Sequence, residues 1–281
     1  MIEARRAAAL CAAMWLASSV AMAQAPSNQS PGVLLTGRDL RLLAGATAAS
    51  AALSTLDSRI ARTFDDSGFH ARHPSVKVAA NRASLVTETA LMITGGVVYG
   101  IARRTHDDGT ADVALHTTEG VASTAMVIQV VRGMLGRGRP YVVDDDNGEA
   151  RNGDPHEFKF LRGFKSYNYR AWPSMHATAS FATASALATE MRRRDTPYRA
   201  VLAPMLYSAA AMPALSRMYL DEHWASDIAM GVVLGVFGGQ KAVTYSHDHP
   251  DNYVDRKLLR PGVRATLTFD VHGMSLTVLP F

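Results

Sequence analysis

Cysteine is almost absent from this chain. The single one, Cys11, falls within the first 23 of 281 residues. Disulfide staples and thiolate metal sites are therefore excluded downstream of it. Aromatic residues are few, at 7 %. Charge of one sign is scarce too: 29 basic residues face 25 acidic ones, for a net +4. That imbalance is too small to make nucleic acid an expected partner. Beyond the leader there is no run of about 20 strongly apolar, uncharged residues of the kind a membrane span needs. Glu88, His116, Glu119, Arg132 and Glu190 interrupt or bound the apolar stretches, which are rich in Ala, Gly, Ser and Thr. Strand–helix alternation is missing, which argues against a doubly wound sheet, and no internal repeat is found.

What is present begins with a leader. MIEARR supplies two arginines, AAALCAAMWLASSV is a short apolar core, and Ala21-Met22-Ala23 is a small-residue cleavage signal. Residues 1–23 read as a secretory signal peptide, which places the mature protein in the periplasm or outside the cell; an uncleaved inner-membrane anchor is the alternative. Removing Glu3, Arg5 and Arg6 lowers the net charge to about +3. Residues 24–37 are expected to be a flexible lead. Apolar positions recurring at three- and four-residue spacing predict helices near 38–57, 81–103, 110–135, 174–194, 197–220 and 223–244. The fold class is all-α: a bundle of about six helices over 38–245. Residues 246–281 then form a loop and a β-hairpin, because VRATLTFDVHGMSLTVL alternates around His272-Gly273. A polar segment, 141–172, is read as a long connection without regular structure.

Two acidic or metal-like stretches are read as ordinary loops. Asp144-Asp145-Asp146-Asn147-Gly148-Glu149 resembles a calcium loop, but its register puts Val143 at the first ligand position and Asp154 at the twelfth. His247-Asp248-His249-Pro250-Asp251 is read as a solvated loop.

Three clusters carry chemistry. Arg132, Arg137 and Arg139 crowd the end of the third predicted helix, with Pro140 after them. Cations belong at a helix C-terminus, but guanidinium forks also match phosphate oxygens. Trp172-Pro173-Ser174-Met175-His176 is a helix start, whose first N–H groups lack internal acceptors and face any anion placed there. His223 and Asp227 stand four apart, so the carboxylate can hold one imidazole nitrogen and leave the other free as an acceptor or a nucleophile. Arg217 precedes them. Each cluster alone has an ordinary structural explanation; together they point to one oxyanion.

The order Arg132-x6-Arg139-Pro140, Pro173-Ser174-Met175-His176 and Ser216-Arg217-x5-His223-x3-Asp227 resembles the type 2 phosphatidic acid phosphatase (PAP2) superfamily. That group includes bacterial class A acid phosphatases, lipid phosphatases and vanadium haloperoxidases. The resemblance implies a PAP2-type helical bundle and a metal-independent phosphatase acting on phosphomonoesters, lipid phosphates or diphosphates, with no cofactor. It implies His223 as the nucleophile, Asp227 as its orienting carboxylate and His176 as the general acid–base. Arg132, Arg139, Arg217, Ser174 and the Met175 amide would hold the phosphate. Expected partners are a phosphorylated small molecule or lipid, with association to a membrane surface. Two positions depart from the pattern: Arg132 stands for a lysine and Met175 for a glycine, which sets a bulky side chain beside the expected pocket. A vanadium haloperoxidase-like enzyme, or a non-enzymatic envelope protein with an impaired pocket, are the rival readings. Trp172, Phe164 and Tyr169 are read either as the aromatics a lipid tail meets or as ordinary packing.

Overall fold

A computed structural model describes residues 35–64, 72–143 and 148–259, together with the backbone of two further strands near the C-terminus. The leader, most of the lead and residues 144–147 of the acidic loop lie outside the described residues.

Nine α-helices are found among them: α1 Gly37–Ser54, α2 Asp57–Phe64, α3 Pro74–Ala83, α4 Glu88–Arg104, α5 Asp108–Leu135, α6 Met175–Arg193, α7 Arg199–Tyr219, α8 Ala225–Asp248 and α9 Tyr253–Leu258. Several of the long ones start where short polar side chains satisfy free amides. Thr36 and Asp39 cap α1 reciprocally, Thr87 accepts from Ala90 N at 3.1 Å, and Asp107 accepts from Thr110 N at 3.0 Å. Helix α5 ends at Gly136, whose φ of 62° places it in the left-handed region that glycine tolerates.

Nine helices replace the expected six. The predicted helix 81–103 is two helices, because Thr87 turns the chain and caps a new start. Helices α2, α3 and α9 are short, and tertiary packing rather than periodicity holds them. The polar segment 141–172 is also more regular than expected. It holds an antiparallel pair, β1 Tyr141–Val143 with β2 Ala150–Asn152, and two 3-10 turns, Arg162–Phe164 and Tyr167–Tyr169. His247 and Asp248 belong to the last turn of α8, not to a loop. The C-terminal hairpin is present, with β3 Val263–Asp270 antiparallel to β4 Gly273–Pro280 and Asp270 opposite Gly273.

Helices α6 and α8 form the centre, with α5 and α7 against them, α4 on α5, α1 on α8 and α3 on α7. The largest core cluster joins Phe181 on α6, Tyr207 and Met218 on α7, and Ile228, Val232 and Val236 on α8. Gly231, Gly235 and Gly239 face α6 so closely that a Cβ at Gly235 would lie 2.4 Å from the Thr178 carbonyl oxygen. Helix α8 is long and apolar enough to cross a membrane by length and composition; here 44 % of its most apolar window is buried inside the bundle. This close contact sets the start of α6 against the start of α8, and both carry predicted site residues.

Candidate active site

Each predicted residue sits at a helix end. Arg132 lies in the last turn of α5, Arg139 just beyond it, Ser174 caps α6, Arg217 is in the last turn of α7, and Asp227 is in the first turn of α8. The four helix ends converge, and Ser174 N–H donates to the Asp227 carbonyl at 3.1 Å. Arg132, Arg139, Arg217, Ser174, His223 and Asp227 are all buried.

His223 is held between Asp227 and the cations. Its Nδ1 is 3.4 Å from Asp227 Oδ2, which leaves Nε2 as the nitrogen with a free lone pair when Nδ1 carries the proton. Burial pushes the His223 imidazolium down, and Arg139, Arg132, Arg217 and His176 push it further, well below the usual histidine range. The neutral ring is thus the resting form.

His176 behaves similarly. Burial, Arg217, Arg132 and Arg139 bring it down to about 4. Its Nε2–H donates to the Ser84 carbonyl at 3.0 Å, an acceptor supplied by the unpredicted break between α3 and α4. Arg132 is lowered to about 10, by burial first and then by Arg139 and Arg170. The Nε groups of Arg132 and Arg217 are buried and have no hydrogen-bond partner among the described residues. Unpartnered buried guanidinium donors are costly, and an anion is what relieves them.

The Arg139–Arg217 fork already holds an anion, the carboxylate of Glu222. It accepts from Arg139 Nη1, from Arg217 Nη2 at 3.1 Å and from the Tyr167 hydroxyl at 3.2 Å. The Arg139 guanidinium stacks on the Tyr167 ring at 3.9 Å. A cleft of about 570 Å³ is lined by Arg139, Tyr167 and Glu222 but by neither histidine.

Met175 does not crowd this pocket, contrary to expectation. It is the first residue of α6, with no positive φ, and its side chain is buried against Ala125, Ile128 and Leu234. Only its amide remains at the helix start. Ser174 Oγ accepts from Ala177 N at 3.5 Å, so its hydroxyl proton is still available to donate. Of the three aromatics, Tyr169 is buried with its hydroxyl among Lys159, Glu157 and Arg151, and Trp172 Nε1 donates to Ser50. Only Phe164 is well exposed, lying over Gly133 next to Arg132.

Sequence reasoning missed the support behind Asp227. Arg137 sits among the flagged arginines but points the other way: it donates to Asp227 Oδ1, to Ser226 Oγ at 2.8 Å and to Asp57 Oδ2 at 2.8 Å. Asp57 also accepts from Ser226 N at 3.0 Å, and Asp227 Oδ2 accepts from Trp224 N at 2.8 Å. Burial pushes the Asp227 carboxyl up to about 6, against the pull of Arg137 and with a further push from Asp57. The arginine run was the only local signal for Arg137; Asp57, Tyr167 and Glu222 had none of their own.

A family model described as "PAP2 superfamily" matches residues 114–250. That stretch holds all three clusters. No curated protein matches the chain, and no solved structure matches it either.

Proposed function

We propose, on the PAP2 superfamily match over residues 114–250, that the chain is a phosphatase of that superfamily that works through a phosphohistidine, without a metal in its pocket. The observation that carries this is the convergence of Arg132, Arg139, Arg217, His176 and His223, with two buried guanidinium Nε groups left unpartnered. In this reading the arginines and the α6 amides hold three phosphoryl oxygens and stabilise their charge in the transition state. His223 Nε2 attacks phosphorus as the ester P–O bond breaks. His176, protonated once the phosphate's negative charge offsets the nearby cations, gives its proton to the leaving alkoxide. It then takes a proton from water as that water's oxygen attacks phosphorus, the P–N bond breaks and phosphate departs. Asp227, fixed by Arg137 and Trp224, keeps the His223 proton on Nδ1.

The substrate reading favours a phosphate or diphosphate carried on an apolar group. Phe160, Leu161, Phe164 and Met134 are exposed around the helix end that carries Arg132, and Leu161 N bonds the Met134 carbonyl at 2.7 Å. Such a collar suits a lipid tail or a membrane surface. The leader read from the sequence suits periplasmic or secreted placement.

The test is a panel running from p-nitrophenyl phosphate to phosphatidate and isoprenoid diphosphates, with His223→Ala as the blank. That variant should lose at least about a thousandfold in turnover while its circular dichroism is unchanged. Undiminished turnover would overturn the mechanism.

A further inference from the structure

The opposite end of the same helices carries a second polar cluster. His116 on α5, Glu190 on α6 and His247 on α8 bring three ligand-type atoms within 4.8 Å of one another. Glu190 Oε1 lies 2.7 Å from His116 Nδ1 and 2.9 Å from His247 Nε2. At 1.5 Å per residue the cluster is about 20–30 Å along the helix axes from Arg132, His176 and Asp227. It is therefore separate from the phosphate pocket.

These groups are deeply placed, with His116 3 % and Glu190 1 % exposed. Their hydrogen bonding is incomplete: His116 Nε2 and Asp255 Oδ1 are buried without a hydrogen-bond partner among the described residues, and His116 Nε2 stands 3.5 Å from Asp255 Oδ2. Buried polar atoms left in this state ask for a reason.

We propose that His116, Glu190 and His247 form a binding site for a divalent transition metal of the zinc type. Two imidazoles and one carboxylate are the donor set such an ion takes, at about 2.0–2.2 Å from each atom. Ligand atoms around a tetrahedral centre of that size are about 3.3 Å apart, so the two short contacts open slightly and the widest pair closes. His116 coordinates through Nδ1. A neutral ring shifts its proton from Nδ1 to Nε2 with no net release; a doubly protonated ring releases one proton to solvent. Nε2–H then donates to Asp255, which gives the unpartnered atoms a role as the carboxylate that orients a metal-bound imidazole. Glu190 binds through Oε1 while Oε2 keeps its 2.9 Å bond from Arg194 Nε. His247 binds through Nε2, its proton moving to Nδ1 in a neutral ring or one proton leaving to solvent from a doubly protonated ring, and its partial exposure leaves a fourth position for water. The ion clasps α5, α6 and α8 and, through Asp255, holds α9.

The whole mature chain, stripped with EDTA and dialysed, is titrated with ZnCl2 by calorimetry and followed by thermal denaturation. Saturable uptake of about one ion per chain is expected, with a rise in Tm of about 5 °C at a hundredfold excess over Kd. His247→Ala and Glu190→Gln should each weaken binding more than tenfold, and Asp255→Asn about 10- to 100-fold. His249→Ala, whose ring bonds the Tyr245 carbonyl and stacks on the Tyr245 ring, should bind as before. Because His247 is at the edge, its variant should fold even if Glu190→Gln does not. Absence of saturable binding, or zinc binding unchanged in His247→Ala, overturns the site.

Discussion

At the residue scale, the unusual feature is a carboxylate where the substrate's charge is expected. Glu222 satisfies the Arg139–Arg217 fork, so a phosphate bound there as proposed would have to displace it. Glu222→Gln removes that competing charge. It should tighten inhibition by vanadate or inorganic phosphate about tenfold, because a charge-assisted contact no longer has to be broken. Weaker inhibition in that variant would mean that Glu222 helps to build the site rather than block it.

His176 makes a separate prediction about pH. Its folded value of about 4 lies below its unfolded value of 6.5. The unfolded chain therefore takes up this proton as pH falls from 6.5 towards 4, and the folded chain does so only near 4. Stability from this group is complete above 6.5 and is lost through that window, by roughly 3 kcal/mol in all. Asp227 works in the opposite sense between about 6 and 3.8, since its folded value is the raised one. The total curve mixes the two, so the informative quantity is the difference between wild type and His176→Gln. Urea unfolding should show wild type losing ground to the variant between pH 7 and pH 4. The residues proposed for the site were legible as candidates because motif spacing singles them out. Their partners were not: Arg137 finds Asp57 across 80 residues and Arg139 finds Glu222 across 83.

At the scale of elements, the contact between α6 and α8 sets the site's width. Gly235 meets the Thr178 carbonyl and Ala182 amide, both backbone groups that cannot swing aside. Gly235→Ala gains up to about 1 kcal/mol of helix propensity, but overpacking of this kind costs about 1–3 kcal/mol, and the backbone contact places it at the upper end. The expected outcome is a net loss of about 1–2 kcal/mol in denaturant unfolding, with reduced turnover because Ser174 and Asp227 are drawn apart. The long helices were legible from apolar spacing, and the C-terminal hairpin from strict alternation. The break at residues 84–87 was not, since the periodicity runs through it; Thr87's capping bond to Ala90 N decides it.

At the scale of the molecule, the proposed anion site joins segments that only the folded chain brings together. Inorganic phosphate or vanadate should therefore bind the native state alone and raise Tm by about 5 °C at a hundredfold excess over Kd. Arg132→Ala should abolish most of that shift, because it removes a buried cation with an unpartnered Nε. An equal shift in the variant would place the bound anion elsewhere.

By itself the sequence determined the helical class and the terminal hairpin, and it singled out the residues proposed for phosphate chemistry, because periodicity and motif spacing are local properties of the chain. Only the tertiary structure decided that Met175 turns into the core, that Arg137 supports Asp227 rather than a ligand, and that His247 leaves its expected loop to meet His116 and Glu190. These outcomes depend on how buried charges find partners across distant segments. That is a matter of desolvation and packing in three dimensions, which spacing along one strand of sequence does not encode.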